Sequence, residues 1–201
     1  MRRSKDIPTM ARLRSPMRGL AAAKKRAARR TGAARGDVRP PMRPDARAHS
    51  PGLEVRRARA GDIPGVAALD ERITGLAKPD YWQDVFERYG RRRLHERMFL
   101  VAQQPAAGGT APLLGFVVGE VRAWEFGSAP CGWVLALSVE PRTRLRGIGR
   151  ALLDALSVEL RAAGVTKMRT MVARGNRLHL LFFRSEGMMA GPYLQLEKDL
   201  D

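Results

Sequence analysis

The segment that most constrains this 201-residue chain runs Val139-Glu140-Pro141-Arg142-Thr143-Arg144-Leu145-Arg146-Gly147-Ile148-Gly149-Arg150-Ala151. The apolar run Val134–Val139 leads into it and reads as a strand. The row Ile148, Leu152, Leu156 and Leu160 leads out of it as one face of a helix that opens near Gly147. A strand that becomes a helix across arginines and two glycines suits a pyrophosphate. The first turn of a helix has N–H groups with no intrahelical partner, and its dipole favours anions. Gly147 and Gly149 leave the backbone open to close approach, and Arg144, Arg146 and Arg150 add positive charge. A tight turn without a ligand also explains the glycines taken alone. Two other phosphate loops do not fit. No G-x-x-x-x-G-K-S/T run exists, and Leu152 stands where a dinucleotide fingerprint needs its third glycine.

The charge is unevenly placed. The chain carries 37 Lys+Arg against 20 Asp+Glu, a net +17. Residues 1–50 hold 15 of the basic and 3 of the acidic residues, a net +12, which leaves +5 for residues 51–201. This first segment includes Lys24-Lys25-Arg26, Arg29-Arg30, Pro40-Pro41 and Pro44 and has almost no apolar periodicity. It cannot bury enough surface to offset the entropy of ordering, so a disordered basic arm is expected, with a transient helix near 20–30. Three readings fit the arm. It is a solvated tail, or coding sequence upstream of the true start with Met10, Met17 and Met42 as later candidates. It is an arm that contacts nucleic acid or ribosomes through phosphates. Or it is an organelle transit peptide, against which the Ala/Arg/Gly/Pro bias argues, since that bias suits a GC-rich bacterial genome.

Several classes are disfavoured. No secretory apolar stretch follows the basic start, and no run of about eighteen apolar residues suggests a membrane span. Cys131 alone cannot form an internal bridge, and His49, His95 and His179 are widely spaced with no cysteine nearby, so no metal site is expected. A cytoplasmic monomer or homodimer with no membrane partner is the expectation.

His49-Ser50-Pro51-Gly52 marks the boundary between the arm, 1–50, and a folded domain, 51–201. A strand is predicted over Leu53–Ala58, then a helix capped by Asp62, with Pro64 in its first turn and its end near Gly75. A second helix capped by Asp80 places Trp82, Val85, Phe86 and Tyr89 on one face. Strands follow over Met98–Gln103 and Leu113–Arg122, where Gly115 and Gly119 weaken the strand or mark bulges. Gly132–Val139 reads as a central strand covered on both faces. After the motif helix, which Gly164 ends, come a strand over Lys167–Ala173, a helix over Asn176–Glu186 and a last strand over Tyr193–Leu200. The sum is a mixed α/β sandwich around a central sheet.

The motif resembles the acetyl-CoA signature of the GNAT acetyltransferase superfamily, V-x-P, a short gap, then Q/R-x-x-G-x-G/A. Here it reads Val139-Glu140-Pro141, then Arg144-Leu145-Arg146-Gly147-Ile148-Gly149. The resemblance spans Leu53 to Leu200 and leans to the ribosomal-protein type of N-terminal acetyltransferase. It implies a GNAT-like α/β fold, with a mixed and mostly antiparallel central sheet and helices on both faces. It also implies a splay between the fourth and fifth strands that admits the pantetheine arm of acetyl-CoA, the co-substrate. Leu137 and Val139 would offer backbone groups to the pantetheine. The amides of Leu145, Arg146, Gly147, Ile148, Gly149 and Arg150 would face the pyrophosphate, and Asn176 would reach the pantetheine region.

Acetyl transfer from a thioester to an amine needs a held acceptor, a route for the amine proton, a polarised carbonyl and, less strictly, a proton for the thiolate. The family draws its acid from a tyrosine in N-x-x-A-x-x-x-Y-x-x-x-G-F. Here Phe183 occupies that position, between Asn176 and Gly187, and it has no proton to give. The positions where the family carries a base, Trp133 or Leu135 and about Met171, are apolar. Glu120, on an otherwise apolar strand, is the candidate base, with Glu125 second. Tyr193 is the candidate acid. His179 is a base in principle, or a half-buried helix histidine with a satisfied ring. The expected activity is N-acetyl transfer to a primary amine (a peptide N-terminus, a lysine or a small amine) by direct attack in a ternary complex. The alternative is a catalytically degenerate acyl-CoA-binding sensor. Tyr81, Trp82, Phe86 and Tyr89, with Asp70, Glu71 and Asp80, are expected to border the acceptor and to suit a cation.

Overall fold

The computed structural model describes residues 52–104, 111–123 and 127–200. The expected basic arm and Glu125 lie outside the described residues. Nine strands and α-helices follow one another among those described, with 3-10 turns at Ala60–Asp62 and Pro141–Thr143: β1 (Glu54–Arg57), α1 (Ile63–Thr74), α2 (Pro79–Tyr89), β2 (Arg97–Gln103), β3 (Leu113–Arg122), β4 (Cys131–Val139), α3 (Ile148–Ala162), β5 (Met168–Thr170) and α4 (Arg177–Ser185). The strands form one sheet in the order β1-β2-β3-β4-β5. The first three pairings are antiparallel, and β4–β5 is parallel.

Both faces of the sheet are covered, which is why β2 and β3 are almost continuously apolar. Met98, Leu100, Val117 and Val134 pack with Ile148, Leu152, Leu156 and Leu160 of α3. Phe99, Val101, Phe116 and Val118 pack with Val66 and Leu69 of α1 and Trp82, Val85 and Phe86 of α2. The predicted face of the second helix is therefore the face it buries.

The glycines of β3 and β4 set how close α3 can come. A Cβ on Gly115 would stand 2.8 Å from Ser138 O and 3.0 Å from Leu152 Cδ1, and one on Gly119 would stand 2.8 Å from Leu156 Cδ1. The bulge expected near these glycines also exists. Val118 pairs with Ala136 and Gly119 with Val134, so Leu135 is an extra residue on β4.

Local chemistry shifts several boundaries. Asp62 precedes α1 but makes no side-chain cap on it. Its carboxylate accepts from Arg56 Nη1 and Nη2 at 2.7 and 2.9 Å and from the Arg59 N–H at 2.7 Å. Asp80 does not cap α2 either. Pro79 takes the first helical position, where its fixed φ and missing N–H cost nothing, and Lys78 becomes the N-cap. α1 ends as predicted at Gly75, with φ 74°.

The C-terminal expectations are corrected. The strand predicted over Lys167–Ala173 shortens to Met168–Thr170. Tyr193–Leu200 forms no strand, and Leu194, Leu196 and Leu200 are largely exposed. Alternating apolar residues need a partner edge. Here the neighbouring strand offers three residues, and Gly191-Pro192 stands directly before the run.

Two outcomes follow from this packing. Gly115→Ala presses a methyl on a backbone oxygen that cannot swing away. It is expected to cost about 1–3 kcal/mol in urea unfolding. Burial opposes the charge of Asp62, but the Arg56 hydrogen bonds, the Arg59 N–H and their charges outweigh it and hold the carboxyl below its ordinary value. A group with a lowered folded pKa contributes stability above its unfolded pKa and loses it as pH falls through the folded one. Asp62→Asn is therefore expected to flatten the decline in stability below about pH 4, measured by urea titration across pH.

Candidate functional site

β4 and β5 part company. β5 pairs with Gly132, Trp133 and Val134 and with nothing further along β4. Val134 is also where the Thr170 hydroxyl donates, to the main-chain oxygen at 3.0 Å. Beyond it opens a cleft of about 190 Å³ between β4 residues 134–138, Thr170 and Met171, and His179 and Phe183 of α4. The Glu140 N–H donates to Leu114 O on the β3 side at 2.8 Å. N–H and C=O alternate sides along a strand, so Ser138 also faces β3 while Leu137 and Val139 direct theirs into the splay. These are the two residues that the family resemblance singled out.

The bulge contributes to the opening. It makes Leu135 an unpaired residue, bends β4 where β5 ends and leaves the Leu135 side chain 41% exposed next to the buried Val134. On the far wall, Phe183 is buried at 6% and packs edge-to-face on Phe182, with ring centroids 5.2 Å apart.

The turn after β4 leads to the N-terminus of α3. Glu140 is held by Arg72 of α1, which reaches Oε2 from Nε at 3.1 Å and from Nη2 at 2.8 Å. Leu145 and Gly147 both adopt left-handed backbone, with φ 69° and 78°. Gly147 does this without cost, whereas Leu145 is a strained, fully exposed non-glycine in the loop. The first bond of α3 is from the Ala151 N–H to Gly147 O at 2.9 Å. The N–H groups of Ile148, Gly149 and Arg150 are thus left at the helix mouth, where an anion is stabilised.

The side chains of this loop divide in ways the motif does not show. Ile148 is buried in the core at 2%, so it has only its amide to offer. A Cβ on Gly149 would meet the Phe182 ring at 3.2 Å and Val139 Cγ2 at 3.6 Å. The missing Cβ at Gly149 therefore leaves room for Phe182 of α4. Arg150 pairs with Asp154 at 3.5 Å. Arg144 and Arg146 are on the exposed rim.

The proton-transfer candidates separate. Glu120 lies on a different cavity of about 370 Å³, with Arg93, Glu96 and Arg122 among its walls and no residue shared with the cleft. Its carboxylate accepts from Arg122 Nε at 2.8 Å and faces Arg97 Nε at 3.7 Å. It is not the isolated base that the strand pattern suggested. It also raises the pKa of the half-buried Tyr89 phenol, an effect second to burial. Tyr193 lies on the C-terminal coil under the Arg169 guanidinium, 4.7 Å from the ring centroid, and does not line the cleft. Asn176 caps α4, its Oδ1 accepting the His179 N–H at 3.1 Å.

Asp70 is buried and takes the Trp82 Nε1–H at 3.0 Å and Lys78 Nζ at 2.8 Å. It locks α1 to α2 and leaves no net charge for an acceptor. Of the α2 aromatics, Trp82 and Phe86 are core, and Tyr81 is exposed.

His179 does line the cleft. Burial, and then the positive charge of Arg144, lower its pKa, so the ring is neutral near pH 7. Helical spacing alone did not favour His179, because a single histidine on an amphipathic helix reads as packing. Its position one turn before Phe183 was the available signal. The bulge at Leu135 left no mark in an all-apolar run, and Gly119 opposite is its one trace.

The profile of the acetyltransferase (GNAT) family matches residues 64–187. Solved structures share the fold. An aminoglycoside N-acetyltransferase, AAC(6')-Iy, in complex with CoA superposes with TM-score 0.61 at 17% identity, over 73% of this chain and 94% of that one. The aminoglycoside 6'-N-acetyltransferase AAC(6')-Ih from Acinetobacter baumannii gives 0.62 at 14%, over 75% and 100%. Glucosamine-6-phosphate N-acetyltransferase from Arabidopsis thaliana gives 0.57 at 17%, over 74% and 99%. The leaning to a ribosomal-protein type is not confirmed by these neighbours. The chain belongs to the acetyltransferase (GNAT) family and is, with it, an acyl-CoA-dependent N-acetyltransferase, as the loop from Val139 to Gly149 implied.

Proposed function

We propose that the chain moves an acetyl group from acetyl-CoA to a primary amine by direct attack, with both substrates bound at once. One observation carries this: the unpaired edge of β4 is joined to the open mouth of α3 by the single loop 140–147, whose turn at Pro141–Thr143 and left-handed Leu145 connect the two. Leu137 and Val139 hold the pantetheine as a short strand would be held. The amides at Ile148, Gly149 and Arg150 take the pyrophosphate, with Arg144 and Arg146 around it. The thioester then lies in the cleft beside Leu135, Met171 and Phe183, which exclude water more than they bind. Rate comes mainly from proximity: an acceptor nitrogen held against the carbonyl carbon replaces a bimolecular encounter.

The acceptor is a primary amine. The similar structures named above act on aminoglycosides or on a sugar amine, and a small amine of that kind fits beside a peptide N-terminus or a lysine as a candidate class. A CoA-release assay with an aminoglycoside, glucosamine 6-phosphate and a peptide with a free N-terminus tests the proposal. Acetylation of at least one amine, with Glu120→Gln within about threefold of wild type, is the expected result. Acetyl-CoA binding without transfer to any amine would instead favour the acyl-CoA sensor.

A further inference from the structure

Nine residues line the β4–β5 cleft, and one of them carries a side chain that exchanges a proton near neutrality, His179. Phe183 and the β4 residues up to Leu137 are apolar. Of the two hydroxyls, that of Thr170 is already bonded to Val134 O at 3.0 Å. His179 stands one turn before Phe183 on α4, and the two rings meet edge-to-face with centroids 6.3 Å apart. Its main-chain N–H is held by Asn176 at 3.1 Å, while neither ring nitrogen has a hydrogen-bond partner among the described residues. Its edge-to-face packing on Phe183 uses neither nitrogen, so a half-buried imidazole stands with both nitrogens available in a cleft whose described lining holds no other side chain that titrates near neutrality.

We propose that His179 is the proton-transfer residue of this cleft, taking the proton that the attacking nitrogen releases and returning it to the CoA sulfur. The inference rests on the acetyl-transfer function proposed above. The amine lone pair forms the C–N bond, and the carbonyl electron pair moves to oxygen. The nitrogen then carries one proton too many, and the imidazole accepts it. As the carbonyl re-forms, the C–S bond breaks with its electron pair on sulfur, and the imidazolium protonates that sulfur. The products are the amide and the CoA thiol, with the imidazole neutral again. Burial and the Arg144 charge keep the ring neutral in the resting state, which is the form the first transfer requires. Arg144, from the loop before α3, is the charged group acting on it. The β4 and β5 walls contribute none.

The test compares wild type with His179→Gln and His179→Ala. Acetyl-CoA binding is followed by calorimetry, and transfer is measured with the three amines named above across pH. Both variants are expected to bind acetyl-CoA within about threefold of wild type and to lose about 100-fold or more in kcat, the size of a general acid–base contribution. The wild-type rate is expected to rise with pH through an ionisation below about 6.5, the ordinary histidine value, and the variants are expected to lack that limb. Variants that transfer at the wild-type rate, or a wild-type profile without the limb, would overturn the role of His179 and leave the transferase function standing. Failure of the wild type to bind acetyl-CoA, or binding without transfer, would overturn both.

Discussion

β4 has a partner along eight of its nine residues on one side and along three on the other. Main-chain N–H and C=O groups must be paired or solvated, so the unpaired stretch toward Val139 is a row of unmet hydrogen-bonding capacity. It faces a cleft and not another strand. The rest of the structure keeps it so. The extra residue at Leu135 bends the strand at the point where β5 ends. α4 comes in beyond the gap with Phe183 and His179 on its inner face, and α3 opens after the eight-residue loop 140–147 that follows β4, with three amides free at its mouth.

Holding a gap open inside a sheet requires that everything around it be fixed. On one face α3 sits close because Gly115, Gly119 and Gly132 carry no Cβ where its leucines press. On the other face an aromatic layer of Trp82, Phe86, Phe99 and Phe116 fills the space under α1 and α2. Polar ties then join elements far apart in sequence. Asp70 receives both Trp82 and Lys78, Arg72 holds Glu140 at the start of the loop, and Arg57 of β1 pairs with Glu159 of α3. Because Glu140 is anchored, the strained turn through Leu145 is presented in one place.

Much of this was legible in the residues. The strand-to-helix loop with its glycines and arginines, the apolar faces of α2 and α3 and the stop at Gly75 all follow from periodicity and local chemistry, and the structure agrees. What periodicity missed depends on partners. Asp62 and Asp80 have the composition of caps, but an arginine claims one and a proline displaces the other. Tyr193–Leu200 alternates like a strand yet has no edge to join. Glu120 read as isolated because Arg97 lies on another strand and Arg122 two residues on along its own, and both reach it only in the fold. That a Cβ on Gly149 would meet Phe182 was not legible either, because α4 arrives from far along the chain. The place of His179 in the cleft was hidden for the same reason. Nothing in its helix says that the wall opposite will be bare of titratable groups.

The claim on which the account depends is that the free edge of β4 is taken by the arm of the co-substrate. Amide hydrogen exchange at Leu137 and Val139, measured with and without saturating CoA, tests it most directly. Exchange at these two amides slowed by about tenfold or more, with Ser138 and Glu140 little changed because they already face β3, is the predicted result. CoA that binds while Leu137 and Val139 exchange as fast as before would contradict it.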